Sequence, residues 1–132
     1  MNSMNDKKIW HQGHCHCQTI RFEARMPKQP VATACNCSIC KNIAFAIIPQ
    51  EDFRLLSGSD NITTYTFNTG AAKHTFCKTC GVKAFYSPRS HPSGVSVNMH
   101  CLDPIPEFST EYFDGIHWEE NIAKLHAKDN HD

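Results

Sequence analysis

The chain has 132 residues, of which 40% are hydrophobic and 20% charged, and this length and composition are typical of one globular domain. Its 13 basic residues balance 13 acidic ones, so no excess of positive charge favours a nucleic-acid partner. The start lacks the apolar run of a signal peptide, and the longest apolar run, Ile43 to Ile48, is too short to span a bilayer. We therefore expect a cytoplasmic protein that does not associate with membranes.

The N-terminal third is predicted to consist of extended segments separated by turns. Lys8 to Gln12 is a candidate first strand, with Gly13 at the turn that follows it. From Thr19 to Ala24 apolar and polar residues alternate, which predicts a strand with one buried face. Two prolines then predict a loop from Met26 to Pro30.

The middle of the chain adds further strand candidates. Ile43 to Ile48 is a continuous apolar run whose length and β-branched residues favour a buried strand over a helix. Glu51 to Leu56 fits a short strand or a helical turn, and Ile62 to Asn68 fits a strand rich in threonine and aromatic residues. Val82 to Ser87 is the next candidate, and Gly94 to His100 follows with a clear alternation between two faces.

The last third is less regular. After Leu102 the sequence becomes loop-like, with a strand candidate from Phe108 to Phe113 and a short helix candidate from Glu119 to Ala127. The predicted fold class is therefore mainly β with little helix, a small domain organised around metal more than around a large core.

Seven of the eight cysteines fall into three clusters. The clusters are Cys15 with Cys17, Cys35 with Cys37 and Cys40, and Cys77 with Cys80. Zinc takes four protein ligands in structural sites, and three plus an open position in catalytic ones. The two pairs together would make a closed four-thiolate site, and the trio would hold a second ion with one position open. In a reducing compartment, such clusters are more plausible as metal ligands than as disulfides.

Three alternatives remain open on spacing alone. A fourth ligand would close the trio and make both ions structural, and the candidates for it are Cys101, His14, His16, His74 and His100. The Cys77/Cys80 pair also resembles a redox CxxC, although that motif belongs in a βαβ context that the predicted elements lack. A secreted disulfide framework is disfavoured because no signal peptide is recognisable and CxC neighbours rarely bridge each other.

Five short stretches carry a recognisable pattern. They are Gly13-His14-Cys15-His16-Cys17, Cys35-Asn36-Cys37-Ser38-Ile39-Cys40, Asn68-Thr69-Gly70, Phe76-Cys77-Lys78-Thr79-Cys80-Gly81 and Val97-Asn98-Met99-His100-Cys101-Leu102-Asp103. In this order and spacing they resemble the glutathione-dependent formaldehyde-activating enzyme family, which also includes centromere protein V. The resemblance covers nearly the whole chain, from Gly13 to Trp118.

The resemblance implies a tent-like fold of packed antiparallel sheets with two zinc ions per chain. By the family's motif, a structural zinc would be held by Cys15, Cys17, Cys77 and Cys80, and a functional zinc by Cys35, Cys37 and Cys40. The chain then divides into an N-terminal extension with a possible first strand (1–12), a zinc-binding domain (13–118) and a C-terminal tail (119–132). The implied activity is that of a carbon–sulfur lyase or synthase acting on adducts of a thiol, glutathione, and a small aldehyde.

Individual residues are candidates for this chemistry. A free thiol is mostly protonated at neutral pH, and an open zinc site favours its thiolate form. Cys37 is the catalytic cysteine candidate, and His100 or His74 would deliver a proton to the new alkoxide because histidine titrates near neutrality. Glutathione carries two carboxylates, so Arg89 and Lys73 are the candidate cations for binding it.

A second class of function also fits the sequence. A non-enzymatic domain could use both zinc ions for folding alone, since structural zinc contributes on the order of 10 kcal/mol to small domains. Its exposed strand edge or loop would then bind a protein or nucleic-acid partner. The sequence leaves the oligomeric state open, and it favours Cys101 as a small buried apolar side chain.

Overall fold

The computed structural model describes residues 7–67, 69–117, 119, 120 and 122. Ten strands occur in this part of the chain: β1 (Lys8–His14), β2 (Arg21–Pro27), β3 (Val31–Cys35), β4 (Ala44–Pro49), β5 (Phe53–Ser57), β6 (Ile62–Tyr65), β7 (His74–Cys77), β8 (Phe85–Tyr86), β9 (Gly94–Asn98) and β10 (Ser109–Phe113). Three single 3₁₀ turns span Gln50–Asp52, Ser59–Asn61 and Met99–Cys101. Among the described residues, no helix is long and apolar enough to cross a membrane.

The strands form three sheets, with the orders β1-β2-β5, β10-β3-β4-β9-β8 and β6-β7. Neighbouring strands are antiparallel except β3 and β10, which run parallel. The prediction of a mainly β domain with little helix is confirmed. Most of the predicted terminal helix, together with Asn68 and Trp118, lies outside the described residues.

The β1–β2 hairpin shows the predicted alternation but not the predicted turn. Phe22, Ala24 and Met26 point into the core from β2. Strand β1 continues through Gly13 to His14, and Gly13 lies opposite Phe22 in the register. A Cβ atom at position 13 would collide with the Phe22 ring and lie 2.8 Å from the carbonyl oxygen of Cys101. The glycine is therefore needed for close approach of the backbone to its neighbours and does not end the strand.

Strand β9 shows the predicted alternation, and it is buried on both faces. It lies between β4 and β8 in the five-stranded sheet, and all five of its residues are buried. The polar side chain of Asn98 is paired, since its Nδ2 donates to the carbonyl of Lys83 at 3.0 Å. Its Oδ1 accepts from the backbone N–H of His100 at 3.0 Å, and this bond caps the 3₁₀ turn that ends the strand.

Three predicted boundaries also differ from the structure. The expected loop from Met26 begins only after Pro27, because Pro27 pairs with Lys8 at the end of the hairpin. The strand from Ile62 stops at Tyr65, where its pairing with β7 ends. Of the candidate Val82 to Ser87, only Phe85 and Tyr86 form a strand, and both pair with β9.

The core lies between the three-stranded and five-stranded sheets. The buried Phe22 ring packs there against the partly buried rings of Phe53 and Phe85, with centroids 4.8 to 5.6 Å apart. Cys101 packs in the same cluster, and burial raises the pKa of its thiol to about 11. Cys101 therefore occupies the core as a small apolar side chain.

Candidate metal centres and the adjoining cleft

The first cysteine cluster joins the end of the β1–β2 hairpin to the knuckle after β7. The Sγ atoms of Cys15, Cys17, Cys77 and Cys80 all lie within 4.8 Å of one another. Two of the separations are 3.7 Å, between Cys15 and Cys17, and 3.6 Å, between Cys17 and Cys77. A tetrahedron with metal–sulfur distances of about 2.3 Å has sulfur–sulfur edges of about 3.8 Å. The four sulfurs therefore fit a single zinc ion.

Nearby donors point at these sulfurs. The backbone N–H groups of Ile20 and Thr79 lie 3.4 Å from the Sγ atoms of Cys15 and Cys77, respectively. The side-chain amide of Asn61 donates to Cys77 Sγ at 3.2 Å and to Thr79 Oγ1 at 3.1 Å. Such donors stabilise thiolate and fix ligand orientation in metal sites. Cys15 and Cys77 are completely buried, whereas Cys17 and Cys80 are partly exposed.

The second cluster lies at the end of β3 and in the turn that leads to β4. Cys35 is the last residue of β3, and the Sγ atoms of Cys35, Cys37 and Cys40 lie within 4.8 Å of one another. The backbone N–H of Cys40 lies 3.4 Å from Cys37 Sγ. Positive φ angles at Lys41 and Asn42 close the turn, and Asn42 N–H donates to the carbonyl of Cys35 at 2.8 Å.

Within the described part of the chain, no fourth cysteine, histidine or carboxylate joins this trio. Of the candidates proposed for closing it, Cys101 lies in the hydrophobic core. His14 bonds the carbonyl of Cys15 at 2.7 Å and Asp103 at 3.1 Å, and His16 is exposed beside the other cluster. The described residues thus offer the trio three protein ligands.

The thiols of Cys35 and Cys40 differ in acidity because they share a hydrogen bond. The bond with Cys40, followed by burial, raises the pKa of Cys35 far above the ordinary thiol range. The same bond acts in the opposite direction on Cys40 and outweighs burial, so its pKa falls to about 6. Cys40 is therefore the member of this pair that loses its proton more readily, and cysteine binds metal as the thiolate.

The trio opens into a large cleft with a volume of about 1510 Å³. All three of its cysteines line this cleft. The walls are mainly apolar and include Ile39, Phe45, Ile47, Phe67, Phe113 and Ile116. Polar side chains reach the cleft from the loop after β8, where Arg89, Ser90 and His91 lie. A cleft of this kind suits a small molecule that has an apolar portion and a charged one.

A group of packed side chains forms the wall of the cleft beside the trio. The Tyr86 hydroxyl lies 3.7 Å from Cys40 Sγ, and the Tyr86 ring meets the Phe45 ring edge-on at 4.9 Å. His74 stacks on Tyr86 with ring centroids 4.9 Å apart, and Lys83 Nζ lies 2.9 Å from His74 Nδ1. Burial, followed by the charge of Lys83, lowers the pKa of His74 to about 4.

The remaining predicted site residues differ in their relation to this cleft. Arg89 lines it, and its guanidinium forms an ion pair with Glu119 at 2.9 Å. Lys73 is exposed and donates to the carbonyl of Gly70 at 2.8 Å, outside the cleft lining although both of its neighbours line it. His100 is exposed on the turn after β9 and packs edge-on against Phe108, also outside the cleft lining. The roles of these three residues stay predictions.

A turn after β10 covers the trio from one side. Asn36 Oδ1 accepts from the backbone N–H of Gly115 at 2.8 Å and of Ile116 at 3.2 Å. A Cβ atom at position 115 would collide with Cys35 Sγ and lie 3.0 Å from Cys37 Cβ. Gly115, Tyr86 and Lys83 were not predicted as site residues, because single residues of these types carry no spacing signal.

Comparisons with known proteins agree with this arrangement. A family model described as glutathione-dependent formaldehyde-activating enzyme matches residues 10–118, a range that contains both cysteine clusters. A crystal structure of a Rhodobacter sphaeroides protein is similar, with 31% sequence identity and a TM-score of 0.64. The match covers 76% of this chain and 99% of that chain.

Proposed function

Because the chain belongs to the glutathione-dependent formaldehyde-activating enzyme family, we propose that it catalyses the reversible addition of a thiol to an aldehyde beside Cys35, Cys37 and Cys40. Glutathione is the proposed thiol, and the activity is that of a carbon–sulfur lyase or synthase. The observation that carries the proposal is the trio itself, whose three sulfurs line one cleft without a fourth described ligand. The four-cysteine cluster has a complete set of four protein ligands and would hold a structural ion.

The ligand sets favour zinc at both sites, because clusters of cysteine thiolates select soft or borderline metals. Bound at the trio, zinc would supply a centre with one open position that stabilises a substrate thiol in its thiolate form. Eight free thiols in one chain suit a reducing compartment, and we place the activity in the cytoplasm.

The protein's own residues would bind and orient the substrates. Arg89 lines the cleft and would bind a glutathione carboxylate. The substrate carboxylate would then replace Glu119 as the ion-pair partner of Arg89. Lys73 lies beside two lining residues and would act at longer range. The apolar walls near Phe45 would keep water from the reacting carbonyl. Cys37 remains the proposed catalytic cysteine of the trio.

A proton must reach the oxygen of the new adduct. His100 and His74 are both proposed donors, and geometry favours His74 because it lines the cleft. Its ring lies on Tyr86, whose hydroxyl contacts Cys40. A donor on this wall would therefore be close to an adduct formed at the trio.

Two serine substitutions test the proposal. Cys37→Ser should keep the fold, lower the zinc content from two ions towards one, and abolish thiol–aldehyde turnover. Cys77→Ser should unfold the protein, because it removes a buried ligand of the four-cysteine cluster. Circular dichroism, zinc analysis and a hemithioacetal assay would record the three properties.

Cys101→Ala is the matched control, since Cys101 belongs to neither cluster. It should retain two zinc ions and wild-type turnover. If Cys37→Ser unfolds as completely as Cys77→Ser, the trio is structural, and the domain is better explained as a zinc-stabilised binding module.

A further inference from the structure

We propose that Lys83 and His74 form a proton relay that ends at the cleft and serves the oxygen of the thiol–aldehyde adduct. This inference rests on the proposed function and adds a residue, Lys83, that neither the sequence pattern nor the cysteine clusters indicate. Lys83 is the positioning and proton-supplying member, and His74 is the member that faces the substrate.

The direction of the hydrogen bond sets the tautomer of His74. Lys83 Nζ lies 2.9 Å from His74 Nδ1. A lysine ammonium carries three donors and no acceptor, so Nδ1 must be the accepting nitrogen of the pair. A neutral imidazole that accepts at Nδ1 carries its proton on Nε2.

The proton on Nε2 is available to a substrate in the cleft under this proposal. No residue that the structure describes forms a hydrogen bond with His74 Nε2. Among the described residues, Ser96 Oγ is the only side-chain nitrogen or oxygen atom that is both fully buried and without a hydrogen-bond partner. His74 Nε2 also lacks a partner, so it must be accessible to solvent. His74 is 4% exposed and lines the cleft, and the relay requires that Nε2 be the atom that faces this space.

Aromatic rings hold the pair in place. Phe67 stacks on His74 with centroids 5.5 Å apart, and Tyr86 stacks on it at 4.9 Å, both with interplanar angles of 19°. Lys83 Nζ lies over the Tyr86 ring, 4.6 Å from its centroid. Tyr86 also contacts Cys40 Sγ through its hydroxyl, so one side chain connects the relay to the trio.

The relay would supply the proton that the oxygen of the adduct requires. The thiolate sulfur forms a bond to the carbonyl carbon, and the electron pair of the carbonyl π bond moves to oxygen. That oxygen takes the proton from His74 Nε2 while Nδ1 takes one from Lys83 Nζ, which leaves a neutral amine. Nδ1 then returns its proton to the Lys83 amine, and solvent in the cleft protonates Nε2, which restores the ammonium and the first tautomer. The cleavage direction uses the same steps in reverse.

The charges around the pair support this sequence. The lowered pKa of His74 keeps its ring neutral near pH 7, so Nε2 can give a proton only if Nδ1 receives one. Burial lowers the pKa of Lys83, and this favours release of its proton, although the thiolates of Cys40 and Cys37 act against it.

The test combines imidazole ¹⁵N NMR with steady-state kinetics on the zinc-loaded protein. In wild type, His74 should show a protonated Nε2 and an unprotonated, hydrogen-bonded Nδ1 at neutral pH. In Lys83→Met, His74 should no longer favour the Nε2–H tautomer. This variant should also lower kcat about 100-fold, with little change in KM for the thiol. Lys28→Met, a change at an exposed lysine, is the matched control and should change neither property.

Lys83→Arg separates positioning from proton supply. Arginine donates hydrogen bonds but does not release a proton near neutral pH. It should therefore restore the Nε2–H tautomer and leave turnover slow. Wild-type turnover in Lys83→Met, or a wild-type His74 protonated on Nδ1, would overturn the relay.

The same experiment distinguishes failure of the relay from failure of the proposed function. Wild-type protein that turns over no thiol–aldehyde pair, yet shows the Nε2–H tautomer, would contradict the function and uphold the Lys83–His74 bond. Active wild type with an unchanged His74 spectrum in Lys83→Met would contradict the relay alone.

Discussion

Asn61, Tyr86 and Lys83 show what a cysteine pattern omits at the scale of single residues. The spacing of the cysteines was sufficient to predict two clusters, and the structure brings the sulfurs of each cluster within 4.8 Å. The residues that hold and surround the sulfurs come from other segments: Asn61 from a 3₁₀ turn, Tyr86 from β8 and Lys83 from the segment before it. Their roles depend on tertiary contacts, and one sequence contains no signal for these.

His74 also has a consequence for stability. Its folded pKa of about 4 lies below the value of 6.5 expected for an exposed histidine. As pH falls below about 6.5, the unfolded chain takes up a proton at this residue before the folded chain does, so stability falls, and the loss is complete near pH 4. Between pH 7 and pH 5 this single group should remove about 2 kcal/mol from the free energy of unfolding.

Urea unfolding of wild type and His74→Gln at these two pH values measures the effect. Protonation of the cysteine clusters affects both proteins equally, so it cancels in the difference between them. The stability advantage of wild type over the variant should shrink by about 2 kcal/mol on acidification. An equal advantage at both pH values would show that His74 titrates normally in the folded protein.

At the scale of elements, the sequence identified strands with a strong local pattern and missed those defined by their neighbours. The alternation in β2 and the apolar run in β4 were sufficient to predict both strands. Strand β3 was missed, because its alternating small residues form a strand only between β4 and β10. Its final residue is Cys35, so the missed strand is the one that positions the trio.

Asp52, in the turn that precedes β5, forms ion pairs with two residues of the three-stranded sheet. It is 2% exposed and binds Lys8 Nζ at 2.9 Å and Arg25 Nε at 2.8 Å. Burial acts to raise the pKa of its carboxyl, but the two cations outweigh burial and the pKa lies below the ordinary value. Asp52 therefore links residues from β1 and β2 to the same turn.

Asp52→Asn should lower the free energy of unfolding by about 1–3 kcal/mol, because charge-assisted bonds are lost while both cations remain partly solvated. Chemical denaturation measures this change. Asp60→Asn is the control, since Asp60 is exposed in the turn before β6, and it should have little effect. Equal effects of the two variants would show that the Asp52 ion pairs contribute nothing.

Gly115 is the contact between the turn after β10 and the trio. Gly115→Ala would place a methyl group against Cys35 Sγ and 3.0 Å from Cys37 Cβ. The variant should fold, lose zinc from the trio and lose turnover, and zinc analysis of the purified protein would record a content falling from two ions towards one.

Gly70→Ala is the control for this variant. A Cβ atom at position 70 meets nothing within 4 Å, although the φ angle of +71° makes alanine strained there. It should cost about 1 kcal/mol of stability and leave the zinc content unchanged. If Gly115→Ala retains both ions, the turn after β10 can move to accommodate the methyl group without displacing the cysteines of the trio.

At the scale of the whole molecule, the two cysteine clusters have different positions in the fold. One joins the β1–β2 hairpin to β7, which belongs to another sheet, and it offers four protein ligands. The other ends a strand of the five-stranded sheet and opens into the cleft. The motifs were sufficient to predict the family and the mainly β class, but the cleft and its walls follow from the order of the strands, which local patterns do not specify.

Zinc content and zinc-edge X-ray absorption, measured with and without glutathione, test the central claim that the trio accepts a substrate thiol. The account predicts two zinc ions per chain, with average ligation that changes from mixed sulfur and oxygen to all sulfur when glutathione is added. Cys37→Ser protein should show no such change. Two zinc ions that are already four-coordinate with protein ligands, and a spectrum that glutathione leaves unaltered, would contradict the account.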